Sequence, residues 1–104
     1  MTLRVRVTPE AQADLDEAQD WYEAARPGLG LELLEAIESA LRFAADWPDA
    51  APVVDGSTRR VLISRFPYGL FYAVENDELV LLGCVHVRRH PRVWRRRLRP
   101  PPKA

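Results

Sequence analysis

Residues 83–103 read GCVHVRRHPRVWRRRLRPPPK, with eight Arg or Lys, two His and no carboxylate. Guanidinium forks bind phosphate or carboxylate oxygens in pairs, and an imidazole moves protons near neutral pH. Such a segment is suited to gripping an anion. Eight cations with Trp94 among them make an electrostatic footprint for nucleic acid, in which Trp94 either stacks on a base or anchors the tail against the domain. A solvated, solubilising extension is the plainer alternative. Cys84, His86 and His90 raise the question of a metal. With no further Cys or His nearby they are too few for a closed site, and Cys84 reads as an inert core residue.

Net charge hides this segment, because the 104-residue chain sums to zero. Residues 1–58 hold twelve Asp or Glu against four Lys or Arg, a balance of −8. Residues 59–104 hold three against eleven, a balance of +8. The length fits one domain with a modest core. No apolar run is long enough to span a bilayer, and the N-terminus lacks the apolar core of a signal peptide. A single cysteine allows no disulfide within the chain, so a reducing cytoplasm is expected.

The elements that must position these cations follow from periodicity. LRVRV, residues 3–7, alternates as a short strand. Thr8, Pro9 and Glu10 supply an N-cap, a first-turn proline and a first-turn acid for a helix running to Ala25. Arg26-Pro27-Gly28 breaks it, and an apolar stripe from Leu33 to Ala44 marks a second helix ending at Trp47-Pro48. So short a break predicts an antiparallel helical hairpin. Residues 48–58 read as a loop rich in Pro, Asp and Gly. Strands are expected at 60–64, 69–75 and 78–87, with a corner at Phe66-Pro67-Tyr68 and a two-residue hairpin turn at Asn76-Asp77. The expectation is an α+β domain, β-α-α-β-β-β, with the hairpin packed on one face of a small, mainly antiparallel sheet. By alternation Val80, Leu82, Cys84 and His86 share one face of the last strand, and Leu79, Leu81, Gly83 and Val85 the other. Both faces are apolar mid-strand, which predicts an interior strand. The domain is expected over 1–94 and a basic, Pro-rich tail over 95–104.

This order of elements, with Trp21-Tyr22 in the first helix, Gly28-Leu29-Gly30 between helices, Trp47-Pro48, Arg60, the Phe66-Pro67-Tyr68 corner, Tyr72, His86, Arg89, Pro91 and Trp94, resembles the RelE/ParE superfamily of toxins from type II toxin–antitoxin modules. The resemblance spans nearly the whole chain. It implies a small cytoplasmic toxin, in some relatives labelled a plasmid stabilisation protein, that forms a hetero-oligomer with a cognate antitoxin protein. One branch of that superfamily cleaves mRNA on the ribosome and the other blocks DNA gyrase. Here the only lysine is Lys103 and the second helix has one basic residue, Arg42, which places the chain nearer the ParE branch.

Metal-free RNA cleavage needs a base for the 2′-hydroxyl, cations for the phosphorane and an acid for the leaving oxygen. Arg60, Arg65, His86 and Arg89 are the candidate set if the chain is a ribonuclease, with no metal and no cofactor. Arg59, Arg60, Tyr72, His86, Arg88, Arg89 and Trp94 are the candidates for holding target or antitoxin. Bland alternatives stand beside these. His86 can be a half-buried histidine bonded to backbone, Arg60 can pair with Glu35 or Glu38, and Tyr68 and Tyr72 can be corner and core residues. The resemblance implies first a ParE-like toxin that inhibits DNA gyrase and is neutralised by its antitoxin; a metal-independent, ribosome-dependent mRNA endonuclease and a non-toxic relative that only binds the antitoxin are the alternatives.

Overall fold

The computed structural model describes residues 2–88. Strand β1 (Arg4–Val7) leads into α1 (Pro9–Ala25) and α2 (Leu29–Asp46); then come β2 (Val53–Asp55), β3 (Thr58–Leu62), β4 (Tyr68–Glu75) and β5 (Glu78–His86). The sheet order is β1-β5-β4-β3-β2, with β1 parallel to β5 and the other pairings antiparallel. Arg89 and Trp94 of the candidate set, and the basic tail, lie outside the described residues.

Thr8 starts α1 as its sequence position predicts. Its hydroxyl accepts from the Ala11 amide at 3.1 Å, and Pro9 takes the first turn, where an amide hydrogen would have no helical partner. The same hydroxyl donates to the Leu81 carbonyl at 3.0 Å, tying the helix start to β5. Between the helices Gly28 has a φ of 91°, a left-handed conformation that glycine adopts without steric cost. The Glu23 carboxylate caps this turn by accepting from the amides of Gly28 and Gly30.

The two helices cover one face of the sheet. Ala11, Leu15 and Ala18 of α1 and Leu33 and Ile37 of α2 pack with Leu70, Leu81 and Cys84 of the central strands. Ala44 and Ala45, near the end of α2, pack with Tyr72 and Leu79. Leu33 and Ile37 are 0% and 2% exposed, so truncating either to alanine would cost about 2–5 kcal/mol.

Two expectations need correction. The segment 48–58 is not all loop: Val53–Asp55 forms an edge strand on β3, with a register shift between Val53 and Asp55. And the faces of β5 do not alternate throughout. Tyr72 pairs with Leu81 but Phe71 with Gly83, so Leu82 is an extra residue at a β-bulge. The bulge changes the phase of the strand, and Leu81 and Cys84 both reach the core beneath α1. The Cys84 amide donates to the Asp14 carboxylate of α1 at 3.0 Å. As expected, β5 is an interior strand, and Asn76 and Asp77 form the two-residue turn with φ of 50° and 61°, the twist a tight hairpin requires.

Candidate functional site

Register decides which side each candidate faces. Val61 and Leu70 are paired neighbours beneath the helices, so Arg60 and its partner Phe71 face the other way. The stem of Arg60 lies against Gly69: a β-carbon there would come within 2.9 Å of the arginine Cδ. Among the described residues Arg60 has no carboxylate partner, and Glu35 and Glu38 do not reach it. It is a half-buried cation on the face that the helices leave open.

His86 faces the helices. It pairs with Tyr68 across β4 and β5, and the two rings meet edge to face at 5.3 Å. Tyr68 in turn meets Tyr22 of α1 at 6.1 Å, and Tyr22 meets Phe66 at 5.1 Å. Burial is the main reason the Tyr68 hydroxyl titrates above its ordinary value, with Tyr22 adding to it. His86 Nδ1 accepts the Arg88 backbone amide at 3.1 Å, which leaves the ring hydrogen of the neutral imidazole on Nε2. The backbone-bonded reading of His86 therefore describes its Nδ1. Arg60 and His86, two members of the ribonuclease set, lie on opposite faces of the sheet.

Other candidates serve the fold. Tyr72 is fully buried, its hydroxyl donates to the Pro48 carbonyl at 2.9 Å, and burial raises its pKa. The Arg59 guanidinium donates to the carbonyls of Ala51 at 2.6 Å and Asp49 at 3.1 Å, and its Asp49 carboxylate partner is largely exposed. Arg59 thus pins the loop after α2. Burial pushes the Cys84 thiol up to about 12, as suits a core residue. Among the described residues no cluster of His, Cys, Asp or Glu could hold a metal ion.

Arg65 sits at the corner after β3, with a φ of 73°. A left-handed backbone costs a non-glycine residue about 1–2 kcal/mol. Its guanidinium donates to Glu32 Oε1 at 2.8 Å and lies 5.7 Å from the centre of the Phe66 ring. Arg26 donates to Glu32 Oε2 at 3.0 Å. Its bond to Arg65, foremost, holds the Glu32 carboxyl below the usual carboxylate range, with Arg26 adding to the effect. This convergence of the helix turn, the first turn of α2 and the sheet corner was not evident in sequence. Arg26 and Glu32 look like ordinary cap and surface residues until the fold brings Arg65 to the other oxygen of Glu32.

The model of the ParE toxin of the type II toxin–antitoxin system, parDE, matches residues 5–94. The chain belongs to the ParE toxin family. That makes it a toxin of the type II toxin–antitoxin class, as the order of its elements implies. Among solved structures, the chromosomal ParDE toxin–antitoxin system of P. aeruginosa is similar with a TM-score of 0.74 and 21% identity, over 84% of this chain and 98% of that one. At that identity the likeness speaks for the ParE fold alone. No curated protein sequence matches.

Proposed function

We propose that this ParE-family toxin inhibits DNA gyrase without catalysis of its own and is neutralised in the cytoplasm by a cognate antitoxin. The observation that carries this reading is the family match over residues 5–94. The site geometry supports it. Cleavage of RNA would need His86 and the arginines around one phosphate, whereas Arg60 and His86 face opposite sides of the sheet and Arg65 is paired with Glu32. A binding toxin has no such requirement; it needs cations and apolar surface that reach a partner. Arg60 and the exposed Arg88 are two such cations. No helix among the described residues is long and apolar enough to cross a membrane.

The test is direct. Expression without antitoxin should arrest growth, and the purified chain should block gyrase supercoiling while leaving transcripts whole in a translating extract. Transcripts cut during translation, with supercoiling untouched, would refute the proposal in favour of an mRNA-cleaving toxin. Unchanged growth would mark a chain that binds its antitoxin without toxicity.

A further inference from the structure

Arg26 and Arg65 come from separate elements and close on one carboxylate. Each donates one hydrogen bond to Glu32, although a guanidinium has five N–H donors in a fixed fork. Both arginine side chains are more than half exposed. Their unspent donors can therefore meet a second anion. The backbone at Arg65 is also held where glycine would sit without strain, and an exposed ion pair returns little stability. Strain kept at an exposed arginine points to a use for its side chain outside the folded chain.

Apolar surface lies at the same end. Phe66 lies under the Arg65 guanidinium and touches Tyr22, and Tyr22 touches Trp21, which is 65% exposed. Leu31, one residue before Glu32, is 57% exposed. The neighbouring helix α1 holds six carboxylates and no basic residue. A continuous phosphate backbone would be repelled there more strongly than a peptide whose acids are spaced and separated by apolar side chains.

We propose that the Arg26–Arg65 fork, with Glu32 as its resident carboxylate, is a docking point for an acidic, amphipathic peptide segment of a protein partner. The segment's carboxylates join or replace Glu32, and its apolar residues lie toward Leu31 and Trp21. This rests on reading the chain as a toxin held by an antitoxin, whose neutralising segment would be the natural occupant.

The test uses the full chain and a fluorescein-labelled peptide of alternating Glu-Glu and Leu-Leu pairs, followed by anisotropy, with labelled oligothymidylate as the second probe. Arg65→Gly should keep or raise Tm by relieving strain, yet weaken peptide binding by ~10-fold or more. Arg26→Ala should weaken it too. Glu32→Gln should tighten it by removing the internal competitor, and Arg4→Ala, on β1, should leave it unchanged. Absence of peptide binding to the native chain, full binding by Arg65→Gly, or tighter Arg65-dependent binding of oligothymidylate would each overturn the proposal. Growth arrest on induction is read separately: a toxic chain that ignores the peptide refutes this inference alone, and a harmless chain that binds it refutes only the toxin reading.

Discussion

Replacing Gly69 by alanine tests Arg60 without touching it. The new methyl would lie 2.9 Å from Arg60 Cδ, 3.0 Å from Cγ and 3.6 Å from Leu62 Cδ2. Arg60 has to move, and among the described residues no carboxylate holds its guanidinium in place. Turning the stem off its preferred rotamer costs about 0.5–1.5 kcal/mol. Removing a glycine from a strand returns about 0.4–1 kcal/mol by restricting the unfolded chain. The net change is therefore within ~1 kcal/mol, a Tm shift of no more than ~8 °C for a domain of this size. If Arg60 grips the target, gyrase inhibition by Gly69→Ala should fall as far as it does for Arg60→Ala, with the fold intact by circular dichroism. A Tm drop of ~15 °C or more would show that the arginine stem is locked, and the packing argument would fail. Full inhibition by Gly69→Ala beside complete loss in Arg60→Ala would show that the position of the guanidinium is not what matters.

Tyr72→Phe removes the hydroxyl bonded to Pro48 and leaves a carbonyl short of its partner; urea unfolding should show a loss of about 1–2 kcal/mol. The Cys84 thiol, buried and pushed up to about 12, should resist alkylation in mildly alkaline buffer until the domain unfolds, so labelling rates should track global opening. Because the folded pKa of Glu32 is lowered, the stability it contributes is fully present above the ordinary value of 4.5 and is lost as pH falls through the lower folded value. Glu32→Gln should therefore flatten that acid limb in a Tm-against-pH series, and an unchanged limb would mean the ion pairs carry no linkage.

The helices and the hairpin turn were legible because their signals are local. Thr8, Pro9 and Gly28 act on the backbone beside them, and Asn76-Asp77 fits only a tight turn. Strand β2 was hidden because Val53 and Val54 sit among Pro, Asp and Gly, and pairing with β3 supplies what local propensity does not. The bulge at Leu82 was hidden for a deeper reason. Alternation assumes one residue per partner, and nothing in LVLLGCVH says where that count slips. The slip sends Cys84 and His86 to the helix side and so parts His86 from Arg60. Candidate cations could be named from sequence, but their grouping depended on register and on where a carboxylate far along the chain would fall.

Strand β1 pairs with β5 alone, Arg4 to Val7 beside Glu78 to Leu81. Strand β1 is thus made well before β5, its one neighbour among the described residues. Contacts so distant along the chain close late and slowly. A nascent chain halted anywhere before Glu78 has neither the strand that joins β1 to the rest of the sheet nor the backbone that Thr8 and Asp14 bind. The sheet cannot be completed until β5 has been made, so a product truncated before Glu78 would be a poor poison.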